Sequence, residues 1–225
     1  MSLPRASTIG AFVVLMTAIA LGGNRGVLAQ DPAGPEAGTM LDEGINYASL
    51  GLRFGAFDFT ENDLNDALDM VPLLGVDAKL HVPHAPLAAQ TSFDVSFGSA
   101  GDLPDTTDYS ATLFSWRLTA LLEPPPRAWG TKDGKFYVMP YVGGGVGVHV
   151  FMDDLQVKGE GSSVNDESTD AVFGLHAVVG VDFVIAEEIS MGAEFMYTWT
   201  TEANTSIGDV EVGGIGVAGA IKVHF

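Results

Sequence analysis

The chain contains no cysteine, so neither a disulfide framework nor a thiolate metal site is available to it. Basic residues are scarce as well. Ten Lys and Arg stand against 29 Asp and Glu, a formal charge of −19, and a surface of that sign makes nucleic acid an improbable partner. Charged residues of both signs reach only 17% while hydrophobic residues reach 47%. Yet beyond residue 29 no apolar run approaches the ~20 residues that a membrane-spanning helix needs. Helical spans are thereby excluded. A chain apolar on average, with 28 glycines and its apolar residues dispersed, is either a soluble β protein or a membrane β-barrel.

What is present begins with a leader. Arg5 lies in a short polar start, residues 9–23 form an apolar run, and Val27-Leu28-Ala29 supplies small residues at cleavage spacing. This is the pattern of a secretory signal peptide. The organisation read from the sequence is a signal peptide over 1–29, a flexible lead-in over 30–45 and one barrel domain over 46–225. Removing Arg5 and Arg25 with the leader takes the exported chain to about −21.

From Asn46 onward the residues alternate with period two, which marks strands with two unlike faces. Leu50, Leu52, Phe54 and Ala56 oppose Ser49, Gly51, Arg53 and Gly55; at the other end Ile215, Val217, Ile221, Val223 and Phe225 oppose Gly214, Gly216, Ala218, Ala220, Lys222 and His224. Six further segments alternate in the same way, centred near Val76, Val95, Leu118, Val146, Val179 and Phe195. Eight strands are therefore expected, an even number, in an antiparallel up-and-down barrel. The first, third, fifth and seventh connections (60–70, 98–108, 153–168 and 201–208) read as polar, acidic and mostly long. The others are mostly tight, although the proline-rich link at 124–134 is not. Long loops at one pole and short turns at the other are the asymmetry of an outer-membrane barrel.

Alternation alone does not say which face is inside. A soluble carrier barrel puts its apolar face inward, and a membrane barrel does the reverse. The polar face carries Arg53, Lys79, Arg117 and Lys222 against Asp77, Asp94, Asp182 and Glu194, four of each sign among small residues. A solvated face of so acidic a protein would carry much of the excess acid. This one is balanced and sparse, as a narrow lumen requires, because buried charges must pair. The apolar face lacks charge across its middle and collects aromatics near the strand ends, with Phe183 and Phe225 at one pole and Phe173, Tyr197 and Trp199 toward the other. The polar face is thus expected to be the lumen, with those eight charges as an ion-pair network.

The segment Pro140-Tyr141-Val142-Gly143-Gly144-Gly145-Val146-Gly147 resembles the glycine-rich strand of small outer-membrane barrels of the OmpA/OmpX type. The run from Gly180 to Phe183 followed by Ile189 to Tyr197 is similar to the sixth and seventh strands of that family. The closing Phe225 matches the C-terminal aromatic by which such proteins are recognised by the barrel-assembly machinery, while Val223 and Ala220 depart from the pattern. The resemblance covers about 180 residues and implies a location in the bacterial outer membrane, among lipid and lipopolysaccharide. It implies fold far more than activity.

Chemistry is thinly marked. His81, His149, His176 and His224 fall on the lumen face but come from four strands, so they read as hydrogen-bonded fillers and not as a metal site. A trio such as Ser92, His81 and Asp94 would be enclosed in the lumen, so no enzyme is expected. Eight strands enclose an interior that side chains just fill, which makes a small-solute channel the second reading, and a lipid-modifying enzyme or a soluble periplasmic carrier the more distant ones. The loops and adjoining strand ends hold seventeen acids opposed only by Lys158. Among them Asp153, Asp154, Glu160, Asp166, Glu167 and Asp170 form a region where weak, diffuse Ca²⁺ or Mg²⁺ binding could bridge to lipopolysaccharide phosphates. No cofactor is expected, and the surface ligand is left open. The function expected is envelope structure or surface interaction.

Overall fold

A computed structural model describes residues 48–225 except 69, 83–84, 101–106, 124–135, 160–161 and 187. The signal peptide and lead-in read from the sequence lie outside the described residues. Eight antiparallel strands close a barrel: β1 (Ala48–Phe59), β2 (Val71–His81), β3 (Leu87–Ser99), β4 (Thr107–Leu122), β5 (Tyr137–Gly159), β6 (Ser162–Ala186), β7 (Ile189–Thr200) and β10 (Gly214–His224). Each pairs with its sequence neighbours, and β1 closes on β10 from Ser49 opposite His224 to Phe59 opposite Gly214. Closure matters because bilayer hydrocarbon offers no partner for an unpaired backbone group.

The alternation sets the two surfaces as expected. Leu52, Leu74, Val76, Leu118, Val146, Leu175, Phe195 and Val217 lie on the outer wall and are exposed there, while Arg53, Asp77, Lys79, Asp94, Arg117, Asp182 and Lys222 are buried inside.

The pole bearing the longer connections differs from the sequence reading in three places. The fifth connection is not a loop over 153–168: β5 and β6 run on as a continuous hairpin, paired from Tyr137 opposite Val184 to Gly159 opposite Ser162. Polar and acidic residues there follow the strand path because they lie beyond the bilayer, where both faces of a strand can be wet. The first connection carries a short helix, α1 (Asn62–Leu68), whose Leu64 and Leu68 are buried. The seventh holds a small hairpin of β8 (Glu202–Thr205) and β9 (Gly208–Glu211).

These additions close the outer end of the lumen. There the inward positions become apolar: Phe57, Phe59, Val71, Leu73, Leu113, Phe151 and Val172 are all buried. Phe59 meets Phe57 edge-on at 5.2 Å and Phe151 at 6.2 Å, geometries that aromatic quadrupoles favour. Leu64 and Leu68 of α1, with Ala203, Val210 and Val212 around the small hairpin, complete this plug.

Candidate functional site

Strand register explains how so narrow a lumen holds carboxylates. Asp77 lies opposite Gly51, Asp94 opposite Gly75 and Asp182 opposite Gly192. A β-carbon on any of these glycines would collide with the carboxylate beside it. Each acid therefore lies over a gap in the neighbouring strand, and these three glycines are room for charges.

The charges fall into two connected groups. Toward the inner pole, Lys79 Nζ donates to Glu123 Oε1 at 2.5 Å and to Asp182 Oδ2 at 2.9 Å. Lys222 Nζ donates to both oxygens of Asp182, at 2.8 and 3.0 Å. Beneath them lies the Tyr141 ring, 4.3 Å from Lys79 Nζ and 5.4 Å from Lys222 Nζ, close enough for cation–π attraction. His81 Nδ1 is 3.0 Å from Glu123 Oε2.

In the second group, Arg53 Nη2 donates to Glu194 Oε1 at 2.6 Å, Arg53 Nε lies 3.2 Å from Asp94, and Nη1 lies 3.8 Å from Asp77. Arg117 donates to Asp94, touches the Met196 sulfur, and reaches Ser92 Oγ at 3.3 Å. The Tyr141 hydroxyl donates to Glu194 at 3.1 Å and so links the groups. Burying an ion costs several kcal/mol unless partners replace its water; the pairing supplies them for Lys79, Lys222, Asp182 and Glu194, whereas Asp77 has Arg53 at 3.8 Å and its Oδ1 accepts no hydrogen bond from a described residue. Ser115 with His149 (2.9 Å) and Thr119 with His176 (2.8 Å) are hydroxyl–imidazole pairs, and Ser190 with His224 (2.8 Å), at the inner-pole ends of their strands, is another.

The structure thus brings together all eight charges read from the sequence and adds three groups that the reading passed over. Glu123 lies one residue beyond β4, yet it keeps the inward parity of Arg117, Thr119 and Leu121. His81 is expected on the lumen face as a hydrogen-bonded filler, and its partner is Glu123; Tyr141 shares the inward parity of His149 on the same strand. The apolar plug was missed although Phe57 shares the parity of Arg53, and Leu113 that of Arg117.

Outside the bilayer, two acids of the β5–β6 hairpin act as hydrogen-bond acceptors for the small hairpin. Asp153 Oδ2 accepts the backbone N–H of Ser206 at 2.9 Å and also its hydroxyl. Asp170 accepts the N–H of Asn204 at 2.9 Å and that of Ala171 at 2.8 Å. These bonds, first that of Asn204 and then that of Ala171, hold the Asp170 carboxyl below the usual carboxylate range. Ser168 Oγ donates to the Asn204 carbonyl at 2.7 Å.

The acids singled out for divalent ions therefore do not converge. Asp153 and Asp170 point to the inner side, Asp154 and Glu167 stand opposite one another on the outer side, Asp166 is exposed, and Glu160 lies outside the described residues. Among the described residues no group of three or more His, Asp or Glu is arranged to hold a metal ion. Phe225 donates its N–H to the Ala48 carbonyl at 2.9 Å, and its ring is exposed on the outer wall.

A closed eight-stranded wall, apolar outside and ion-paired within, with its longest strands extended at one pole, defines an integral outer-membrane β-barrel. The chain belongs to the outer membrane protein beta-barrel domain family, whose model matches residues 29–218. Among solved structures it is similar to the Neisserial surface protein A at 16% identity (TM-score 0.50), covering 79% of this chain and 97% of that one. It is similar to OprG of Pseudomonas aeruginosa at 13% identity (TM-score 0.52; 81% and 98%). The attachment invasion locus protein Ail of Yersinia pestis is similar at 10% identity (TM-score 0.50; 80% and 97%). At these identities the likeness is one of fold. No curated protein sequence matches the chain.

Proposed function

We propose that the protein is a non-conducting, non-enzymatic anchor that holds an acidic crown above the outer membrane for surface interaction. The observation that carries this reading is the lumen, which is occupied across its width by paired, buried side chains from Lys79–Asp182 to Arg53–Glu194 and capped outward by the Phe57–Phe59–Phe151 plug. A pore wide enough for solutes would need those pairs parted, at a cost of several kcal/mol for each stranded ion. What remains accessible is the crown, where the β5–β6 hairpin and the docked β8–β9 hairpin present Asp166, Glu167, Glu202, Asp209 and Glu211 to solvent.

The absence of enzymatic activity is supported by the placing of the hydroxyl–imidazole pairs. His149 and His176 are buried, and the second nitrogen of each ring has no partner to orient it, whereas nucleophilic catalysis needs an oriented base that substrate can reach. Phe225, at the end of the closing strand with its ring on the lipid side, is the residue the assembly machinery would read. Divalent ions near Asp154 and Glu167 would act by diffuse screening.

Liposome swelling tests the reading. Vesicles carrying the full chain should swell in small sugars and amino acids no faster than protein-free vesicles. Swelling that falls off with solute size would replace this reading with that of a small-solute channel.

A further inference from the structure

We propose that the outer half of the β1–β10 seam is a site for one lipid whose head bears an ammonium group. Its acyl chain would lie in a groove of the lipid-facing wall and its head against Asp58.

The groove follows from side-chain size along the seam. On the lipid side of β1 run Phe54, Ala56 and Asp58, and opposite them on β10 lie Gly219, Val217 and Ile215. The small residues Ala56 and Gly219 leave a furrow of about 460 Å³ between the larger side chains, with Met70 at its crown end. Phe54, Met70 and Val217 are exposed on the wall. From Asp58 to Phe54 the furrow runs roughly 13 Å along the strand, and less along the membrane normal because barrel strands tilt. That confines it to the outer half of a hydrocarbon core ~30 Å thick, the depth that a single acyl chain occupies.

The upper end of the furrow lies at headgroup level. Asp58 opposes Ile215, which in turn opposes Tyr197, and the Tyr197 ring packs on Trp199 at 4.4 Å. Tyr and Trp collect where hydrocarbon meets the polar zone of a bilayer. The Asp58 carboxylate therefore lies at that boundary, while Ala56, Val217 and Gly219 lie below it. An occupant must be apolar along its length and polar at one end, which is the form of an acyl lipid.

Charge chooses the head. The described basic side chains Arg53, Lys79, Arg117 and Lys222 are all buried in the lumen, so none of them reaches Asp58 on the wall. A head carrying phosphate alone would set like charge against Asp58. An ammonium head is attracted, and more strongly at this poorly hydrated boundary than in open water. A lipid chain gains no hydrophobic energy by exchanging other lipid for the wall. Preference for the site therefore comes from contact within the furrow and from that charge. A second copy of this chain fits poorly, because its own wall offers Asp58 no described basic side chain.

The test uses the full chain folded in detergent micelles doped with equal amounts of phosphatidylethanolamine and phosphatidylglycerol. Native mass spectrometry counts the lipid retained once the detergent is stripped. The unmodified chain should keep one lipid, with phosphatidylethanolamine favoured at least fivefold. D58N should abolish that preference. A56F fills the furrow and should cut retention at least fivefold, whereas A89F, at an exposed small residue of β3, should leave it unchanged. Heat-dependent gel mobility checks that each variant is folded, and D58N, being nearly isosteric, tests the charge even where A56F fails that check. No retained lipid, or equal retention of the two lipids by the unmodified chain, would overturn the site. So would a preference that survives D58N, or equal losses in A56F and A89F.

Discussion

The guanidinium of Arg53 and the carboxylate of Glu194, 141 residues apart, meet at 2.6 Å inside the lumen. They belong to β1 and β7, which are not neighbours in the wall, since β10 lies between them. The bond therefore bridges over β10 on the inner side of the wall and is not a cross-strand pair. E194Q keeps the shape and removes the charge, leaving Arg53 buried with less compensation. Stability should fall by about 3–5 kcal/mol, the usual cost of breaking a buried pair from one side. Urea-dependent folding into micelles, followed by gel mobility, measures it. Replacing both residues by methionine should recover part of the loss.

The glycine gaps give a second expectation. G75A sets a β-carbon against the Asp94 carboxylate and 2.6 Å from the Phe93 carbonyl. It should cost about 1–3 kcal/mol, as overpacking does. G144A faces the lipid side, with its nearest neighbour, the His176 carbonyl, at 3.1 Å, and should cost less than G75A. The same folding titration compares the two.

The wall was legible in the sequence because a lipid-facing barrel imposes one rule on every strand. Leu52 against Arg53, and Ile221 against Lys222, state that rule without any knowledge of partners. Charge balance then decided which face lay inside. The crown obeys no such rule. Once the β5–β6 hairpin leaves the bilayer, Asp153, Asp154, Asp166 and Glu167 satisfy a strand as readily as a loop, and composition alone reads as a loop. Leu64 and Leu68 are too few to mark α1 as buried. Glu123 needed only that the inward parity be continued one residue past Leu122. Pair identities such as Lys79 with Asp182 depend on barrel tilt and stagger, which period-two patterning leaves open.

Acid should loosen the crown before the barrel. The Asp170 carboxyl is held below its ordinary range by the N–H groups of Asn204 and Ala171. A carboxylate lowered in this way contributes order that is present above the unfolded value and lost as pH falls through the folded one. Amide exchange at Asn204 should therefore quicken as pH is taken below the ordinary carboxylate range, after correction for the intrinsic rate, while Val178 in the wall stays protected. D170A should abolish that pH dependence and leave Asn204 fast throughout.

The other latch is separable. Asp153 holds Ser206 through both its N–H and its hydroxyl, so D153A should free the tip of the small hairpin and raise exchange at Ser206. Val210 and Val212, buried in the plug, should keep the base of the hairpin in place. Loss of protection at all three together would mean that the hairpin docks as one unit and that Asp153 controls it.

Ion conductance in planar bilayers is the most direct measure of the central claim, that the lumen is shut by its own paired charges. The full chain should add no steps to the membrane baseline at neutral pH, because Lys79, Lys222 and Asp182 at one level and Arg53, Glu194, Asp94 and Arg117 at the next fill the section beneath an apolar plug. Reproducible single-channel steps from the unmodified protein would contradict the account, and the barrel would then be a conduit with its ion pairs as the gate.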